Sequence, residues 1–314
     1  MATDTLTTLS SLLPSKVVTA EYLRLLADRN GALIRHPAFV YGGDGRGLGH
    51  VQISMRALGL DGYRILQSRA PGSLIAPRAL DFDDFTCPVG PYSKAYEFDD
   101  LSRAILEGLI NPTILARDAM MATANTLVSL AAQLVGGFAN TSGTPGSALT
   151  AAQLLEAKSQ LGVRNVEGPY VAVLSGVQFL HFEQSLATGT AGAIQWLAAT
   201  AAMIQQYGTG YKGNWGGIDI FVSNRVPTTN GGVDHAGGMF GRGSIIWCNS
   251  SFAPESDPNI VDFGASDESG RNPVRFERVR TGLAGTTAVV THANLGIVEG
   301  LDEAGESIIT KATV

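Results

Sequence analysis

A cluster of glycines between Gly42 and Gly49 is the feature of this 314-residue sequence that most resembles a nucleotide-binding loop. Its glycines do not follow the G-x-G-x-x-G spacing, and no Gly-Lys-Ser or Gly-Lys-Thr step closes it. The residues that follow alternate as in a β-strand, so no helix N-terminus is offered to a phosphate group. We therefore interpret the cluster as the flexible tip of a hairpin.

Acid–base or metal chemistry would need histidines, cysteines or carboxylates that lie close together. The five histidines are widely separated and match no metal-binding spacing: His36, His50, His181, His235 and His292. We expect His181, which stands beside phenylalanines on a predicted helix, to be a packing residue. Three carboxylates could bind a cation or act in acid–base catalysis: Asp81, Asp83 and Asp84. We favour the interpretation that they lie in a solvated turn, where acidic residues are common. The sequence therefore predicts no metal site and no catalytic site.

Nucleophilic and redox chemistry has equally little support. No serine lies in a G-x-S-x-G motif. Cys87 and Cys248 are the two cysteines of the chain, too few for a disulfide scaffold or a zinc site, and we expect both to be reduced and structural. Aromatic residues between positions 207 and 215 could stack nucleic-acid bases, but Lys212 is the one cation nearby, so we favour internal packing. No cofactor is predicted.

The composition excludes several classes of protein. Charged residues make up 16% of the chain, against about a quarter in an average soluble protein, which predicts a surface partly buried by partners. The chain is 45% hydrophobic, too apolar for a disordered protein, yet its apolar runs are too short for a membrane span. The N-terminus has no basic segment, so we expect no secretion signal and a cytosolic protein. A net charge of -6 argues against broad coating of nucleic acid.

Charge is divided unevenly along the chain. Residues 35–78 contain six arginines and two aspartates, whereas residues 81–107 contain seven acids and two bases. Two ordinary solvated faces would explain this division, and so would complementary contacts between subunits. For the second explanation, the candidate contact residues are Arg46, Arg56, Arg64, Arg69, Arg78, Asp81, Asp83, Asp84, Asp99 and Asp100.

The first half of the chain is predicted to contain an arm, a ribbon and a broken helix. Residues 1–15 are typical of an extended arm, and a helix is expected at about 16–30. Residues 35–80 predict a two-stranded β-ribbon, which must lie on a surface because such a ribbon is marginally stable alone. Then follow an acidic turn at 81–84, a strand at 92–98, a helix beginning at Asp99 and Asp100, and a second helix from Pro112 to Val135 that Gly136-Gly137 end.

The second half has an α/β rhythm after a linker at 140–147. A capping box at Thr150 and Gln153 opens a helix that ends at Gly162, and Ser175 is expected to cap another. The remaining predicted elements are strands at 170–174, 218–223 and 238–248, a helical stretch at 193–206, a turn at 226–231, and long strands at 274–281, 286–297 and 306–312. The fold class predicted from this pattern is α+β.

This order of elements resembles the major capsid proteins of tailed bacteriophages, which have the Hong Kong 97 fold. Three stretches look familial: GPYVAVLS at 168–175, GIDIFVSNRVP at 217–227 and HAGGMFGRGSII at 235–246. The resemblance implies an N-terminal arm (1–34), an extended β-hairpin loop (35–95), a peripheral domain with a spine helix (96–147), an α/β axial domain (148–252), and peripheral return strands (253–314).

The resemblance also implies a function without catalysis. Many copies would assemble as pentamers and hexamers into an icosahedral head, in the host cytoplasm, around double-stranded DNA contacted non-specifically. Scaffolding, portal and cement proteins would be partners, and no membrane would be involved. The family's autocatalytic cross-link needs a lysine that nothing here identifies, so it is not carried over. Two alternatives stay open: an encapsulin-like nanocompartment shell, and an α/β enzyme acting on small molecules.

Overall fold

A computed structural model of the chain describes residues 36–44, 52–58, 82–99, 112–188, 196–207, 210–250, 252, 260–263, 274–281 and 285–314. The predicted arm at 1–34 and the helix at 16–30 lie outside these ranges. The helices are α1 (Pro112–Val135), α2 (Ala151–Val163), α3 (Gly176–Thr188) and α4 (Ala201–Tyr207). The strands are β1 (Phe39–Asp44), β2 (Gln52–Leu58), β3 (Phe82–Pro88), β4 (Gly90–Asp99), β5 (Thr141–Ser142), β6 (Tyr170–Leu174), β7 (Trp196–Ala198), β8 (Tyr211–Trp215), β9 (Ile218–Val222), β10 (Thr228–Thr229), β11 (Asp234–Phe240), β12 (Ile245–Asn249), β13 (Ile260–Phe263), β14 (Val274–Thr281), β15 (Thr286–Glu299) and β16 (Gly305–Lys311).

A six-stranded sheet is built around the long strand β15. Strand β4 pairs antiparallel with one side of β15, and β14 followed by β12 pair antiparallel with the other side, since Leu295 has both Gly90 and Asn249 as partners. Strand β1 adds to β12 in parallel, and β13 adds to β14. Alternate residues of β15, among them Thr291, Ala293 and Leu295, are buried. Helix α1 packs against β15.

An eight-stranded sheet forms the second layer, in the order β5-β16-β11-β6-β9-β8-β7, with β10 paired to β11. Strand β6 is buried on both faces. Val171 and Val173 face the core that contains α1, whereas Ala172 and Leu174 face a second core that contains α2 and α3. The continuous apolar run of β6 follows from this burial on two sides.

Helix α1 connects the two sheets. It begins at Pro112 and ends at Val135, before Gly136-Gly137, as predicted. Leu127, Ala131 and Val135 recur every four residues and are buried in the core shared by both sheets. Asp99 ends strand β4 opposite Thr286, and the helix predicted to begin at Asp99 and Asp100 lies beyond it, outside the described residues.

Local capping signals proved reliable. The Thr150 hydroxyl accepts a hydrogen bond from the Gln153 backbone N–H, and the Gln153 side chain accepts one from the Thr150 N–H. Ser175 and Gln178 form the same reciprocal pair at the start of α3, at 3.1 and 3.0 Å. These contacts satisfy backbone donors that a helix N-terminus otherwise leaves unpaired.

Four sequence predictions need correction. The helical stretch expected at 193–206 contains strand β7 before the short helix α4, and the glycine-rich segment after it contains strand β8. The single strand expected at 238–248 is two strands, β11 and β12, which belong to different sheets. The acidic turn expected at 81–84 includes the first residues of strand β3. Strand β1 falls within the ribbon expected at 35–80, but it pairs with β12 in the six-stranded sheet.

Candidate functional site

A two-stranded hairpin, formed by β2 and β3, forms no ladder with either large sheet, although β3 packs against β12 and β15 of the six-stranded sheet. The two strands run antiparallel, and their register places Arg56 directly opposite Asp84 and Ala57 opposite Asp83. Opposite charges directly across an antiparallel pair stabilise it by roughly 0.2–1 kcal/mol. Asp83 and Asp84 are therefore strand residues of this hairpin, and Asp84 is exposed. Sequence reasoning missed this pairing because the strands are separated by a segment of more than twenty residues.

The predicted contact residues are only partly described. Arg46, Arg64, Arg69, Arg78, Asp81 and Asp100 lie outside the described residues. Asp99 lies in the six-stranded sheet, away from the Arg56–Asp84 register. Contact of these residues with a neighbouring subunit stays a prediction, and the backbone register pairs position 56 with position 84 of the same chain.

Strand β4 presents a long edge. It pairs with β15 along one side, and none of the described strands pairs with its other side. Residues 91–95 and 97 are exposed. On this strand the Lys94 ammonium donates to the Asp118 carboxylate of α1 at 2.5 Å. An edge strand of ten residues offers backbone N–H and C=O groups to another chain, so β4 is a candidate for contact between subunits.

A serine, a histidine and a glutamate lie together on the six-stranded sheet. The Ser93 hydroxyl is 2.8 Å from His292 Nδ1, and His292 Nε2 is 3.3 Å from a Glu277 carboxylate oxygen. The His292–Glu277 contact is close but too poorly aligned for a hydrogen bond. A nucleophilic serine normally sits at a tight turn beside backbone N–H donors, whereas Ser93 is in the middle of a regular strand paired with β15. The arrangement suits a polar cross-strand contact better than acyl transfer.

The beginning of β1 is anchored to the eight-stranded sheet by a buried histidine. His36 Nδ1 accepts a hydrogen bond from the Ala38 N–H at 3.2 Å, which leaves Nε2 to donate to Asp219 at 3.0 Å. Tyr211 and Asn214 also donate to Asp219, each at 2.9 Å. Burial alone would raise the pKa of Asp219, but the hydrogen bonds from His36, Asn214 and Tyr211 outweigh it, so the pKa lies below its ordinary value. This charge-assisted network is structural.

A carboxyl pair lies where the chain passes from the six-stranded to the eight-stranded sheet. The passage at residues 300–304 runs beside a second passage at 241–244, joined by hydrogen bonds from Gly300 N to Ser244 O and from Leu301 N to Gly243 O. Burial raises the pKa of Glu299 to about 7, and the hydrogen bond and negative charge of Asp302 add to the effect. The pair makes this connection sensitive to pH.

A polar groove of about 490 Å³ lies between α2 and strand β5. Its buried acid, Glu306, is paired with Arg164 and accepts a hydrogen bond from the Ser142 hydroxyl. Because these charges already satisfy one another, the groove indicates no particular ligand. Within the described part of the chain, no group of three or more His, Cys, Asp or Glu side chains is placed to hold a metal ion.

The aromatic run and His181 behave as packing residues. Tyr211 and Trp215 are 2% and 0% exposed, and they lie in different cores. Neither ring is available to stack on a base, which confirms the prediction of internal packing. His181 is also buried, and desolvation, followed by the charge of Lys311, lowers its pKa. Its Nδ1 has no hydrogen-bond partner among the described residues.

Comparison with known proteins identifies the fold. No protein-family model matches the sequence, and no curated protein sequence is significantly similar to it. Among solved structures, the capsid of Ralstonia phage GP4 is 12% identical with a TM-score of 0.54, covering 88% of this chain and 87% of its own. The capsid of Myoviridae phage XM1 is 12% identical with a TM-score of 0.53, covering 88% and 92%.

An encapsulin has a similar structure. The holo-SrpI encapsulin complex from Synechococcus elongatus PCC 7942 is 12% identical with a TM-score of 0.58, covering 100% of this chain and 94% of the encapsulin. At such low identity these likenesses show a shared fold. The chain therefore has the Hong Kong 97-like fold found mostly in tailed-bacteriophage capsid proteins. In addition, none of the described helices is long and apolar enough to cross a membrane.

Proposed function

We propose that this chain is a structural shell protein, without enzymatic activity, that assembles with many copies of itself into a closed particle. The observation that carries the proposal is the likeness to capsid and encapsulin structures over 84–100% of the chain. A fold shared along almost the whole length leaves little of the chain for an added catalytic domain. The group formed by Ser93, His292 and Glu277 lies on regular paired strands, an arrangement that suits a polar contact and therefore agrees with a protein that has no catalytic role.

Two surfaces support assembly with neighbouring copies. Strand β4 has an edge that none of the described strands covers, and the β2–β3 hairpin forms no ladder with either large sheet. Strand β3 of the hairpin packs on the six-stranded sheet of its own chain, and neighbouring copies would contact the part of the hairpin that stays exposed, such as Asp84. Head-to-tail contacts between such surfaces close rings, and rings close a shell.

The finer proposal is the head of a tailed bacteriophage. Pentamers and hexamers would form an icosahedral shell in the host cytoplasm and would become the capsid of the virion around double-stranded DNA. Scaffolding, portal and cement proteins would be partners. The predicted division into arm (1–34), loop (35–95), peripheral domain (96–147), axial domain (148–252) and return strands (253–314) is part of this proposal, as is the role of α1 as spine helix.

An encapsulin-like nanocompartment is the second candidate. The holo-SrpI encapsulin covers all of this chain, with a TM-score of 0.58. The two candidates share the shell and differ in its contents, because a head encloses DNA whereas a nanocompartment encloses protein.

Expression of the full chain, followed by light scattering and negative-stain microscopy, tests the shell. We expect particles far larger than a 32.9 kDa subunit. A stable monomer at all concentrations, with no particles in the lysate, would contradict the proposal. Particles isolated from their natural source then separate the candidates: nuclease-resistant double-stranded DNA inside indicates a phage head, and a protein cargo indicates a nanocompartment.

A further inference from the structure

Two cysteines that are far apart in the sequence lie in one small apolar cluster. Cys87 is on strand β3 of the hairpin, and Cys248 is on strand β12 of the six-stranded sheet. Both are reduced and fully buried. They share the cluster with Ile246, and further apolar side chains pack around it: Val40, Phe85, Val89 and Val298. This cluster connects the hairpin to the six-stranded sheet.

The register of the sheet places the two sulfur atoms side by side. Cys248 pairs with Gly43 on one side and with Gly296 on the other, so neither neighbouring strand places a side chain beside it. A Cβ added at Gly296 would lie 3.0 Å from Cys87 Sγ and 2.3 Å from the Pro88 carbonyl oxygen. Since Cβ positions directly opposite in an antiparallel pair are about 5 Å apart, the Cys87 sulfur lies next to the Cys248 side chain. Contact between the two side chains is the first condition for a disulfide.

The two thiols also influence each other. Hydrogen bonding by the Cys248 side chain lowers the pKa of Cys87 below its ordinary value, although burial opposes this effect. Contact with the Cys87 sulfur and burial both raise the pKa of Cys248. The thiolate is the nucleophilic form of cysteine, and the lowered pKa favours it at Cys87.

We propose that Cys87 and Cys248 are an oxidisable pair, and that a peroxide converts them into a disulfide that joins the hairpin covalently to the six-stranded sheet. Hydrogen peroxide is small enough to reach a buried thiol when the strands open locally. The cross-link is intramolecular, because both cysteines belong to the same contact within one chain.

The reaction proceeds in two balanced steps. The Cys87 thiolate attacks one oxygen of hydrogen peroxide, the O–O bond breaks, and hydroxide leaves and takes up the thiol proton to become water. Cys87 is then a sulfenic acid. The Cys248 sulfur attacks the Cys87 sulfur, the S–O bond breaks, and the hydroxyl group leaves as water with the Cys248 proton. Two thiols lose two electrons, which the peroxide gains.

Treatment of the purified full chain with hydrogen peroxide tests the proposal. After quenching and alkylation of remaining thiols, we expect the intact mass to fall by two hydrogen atoms, with no alkylation. Non-reducing proteolysis should release one cross-linked pair of peptides containing Cys87 and Cys248, and dithiothreitol should separate them. Hydrogen–deuterium exchange should become slower in β3 of the oxidised chain.

The single variants Cys87→Ser and Cys248→Ser are matched controls. In Cys248→Ser, we expect Cys87 to gain oxygen and to form no intramolecular cross-link. Retention of two alkylatable thiols in the wild-type chain, under conditions that oxidise glutathione, would overturn the proposal. Disulfides between separate chains, or sulfinic acids without a cross-link, would overturn it as well. The wild-type peptide map decides the question even if a serine variant does not fold.

Discussion

Gln178 shows how one buried polar side chain joins several elements. Its side-chain oxygen accepts from the Ser175 N–H, and its amide nitrogen donates to His235 O, Ile308 O and the Thr310 hydroxyl at 2.9 to 3.1 Å. The residue is fully buried. A single amide thus caps α3 and holds it to strands β11 and β16, and the burial makes each of these bonds costly to lose.

Replacement of this amide is therefore expected to destabilise the chain. Gln178→Ala removes the partner of four buried groups, and we expect a loss of about 3 kcal/mol in the free energy of unfolding. Denaturant unfolding of the unassembled subunit measures the loss. Gln184→Ala, at an exposed position of the same helix, is the control and should change stability by less than about 0.5 kcal/mol. Equal effects of the two substitutions would contradict the role of Gln178.

Glu299 predicts a dependence of stability on pH. Its pKa is raised to about 7 from an ordinary value of 4.5, so the folded chain holds this proton more tightly than the unfolded chain. Stability that is fully present below pH 4.5 is lost as the pH rises through 7. We expect Glu299→Gln, which mimics the protonated form, to reduce the loss between pH 5 and pH 8 by on the order of 1 kcal/mol.

Urea unfolding of both proteins at the two pH values measures this difference. Asp302→Asn is a second check, because removal of the neighbouring negative charge should also reduce the pH dependence. The same pH dependence in wild type and Glu299→Gln would show that other groups cause it.

Helix α1 is the element that both sheets share, and glycine permits its close packing. At Gly238 of β11, an added Cβ would lie 2.7 Å from Val135 Cγ1 and 2.8 Å from the Val135 carbonyl oxygen. Only a residue without a side chain lets the end of α1 approach the strand so closely. Close packing thus explains why Gly238 is a glycine in the stretch at 235–246 that resembles the capsid family.

A charge on the buried face of α1 should prevent folding. Leu127 is 1% exposed in the core shared by both sheets, and Leu127→Asp would leave a carboxylate there without a partner. We expect a cost of at least about 3 kcal/mol and loss of soluble protein. Gln133→Asp, at an exposed position of the same helix, should fold normally. Circular dichroism and soluble yield measure both variants. A soluble, assembly-competent Leu127→Asp protein would show that this face is not critical to the core.

The whole molecule combines a well-packed centre with surfaces suited to neighbours. The open β4 edge and the exposed Asp84 of the hairpin would face neighbouring copies, and repeated weak contacts between copies add up in a shell. An exposed ion pair stabilises by only about 0.2–1 kcal/mol, but every subunit of a shell repeats it. Small changes in the hairpin should therefore affect assembly more than folding.

Reversal of charge at two of the predicted contact residues tests this expectation. The double substitution Arg56→Glu and Arg64→Glu should leave the subunit folded and shift assembly toward free subunits or aberrant particles. Sedimentation measures assembly, and thermal melting measures folding. Because the register pairs position 56 with position 84, charge pairing within one chain is the alternative explanation of an assembly defect.

Addition of Asp84→Arg separates the two contributions. It restores opposite charges within the hairpin, but a neighbouring subunit still meets a carboxylate at position 56, so we expect the assembly defect to persist. Normal shells from the double variant would reject charge pairing between subunits. Full recovery on addition of Asp84→Arg would place the pairing inside one chain.

Local elements of this fold follow from the sequence alone. Pro112 and Gly136 bound helix α1, the pairs Thr150–Gln153 and Ser175–Gln178 start two helices, and the apolar run at 170–174 is a strand buried on both faces. Each of these signals acts between residues a few positions apart. Side-chain caps, backbone restrictions and hydrophobic periodicity are therefore sufficient to predict them.

Which strands pair with one another was determined only by the tertiary structure. The pairing of β2 with β3, the division of 238–248 between two sheets, and Asp99 as a strand residue all depend on contacts distant in sequence. The same holds for the approach of Cys87 to Cys248 and for the raised pKa of Glu299. Strand patterns are alike at many positions and carry no information on register. Packing of the whole chain selects which strands meet, and so determines which side chains can act together.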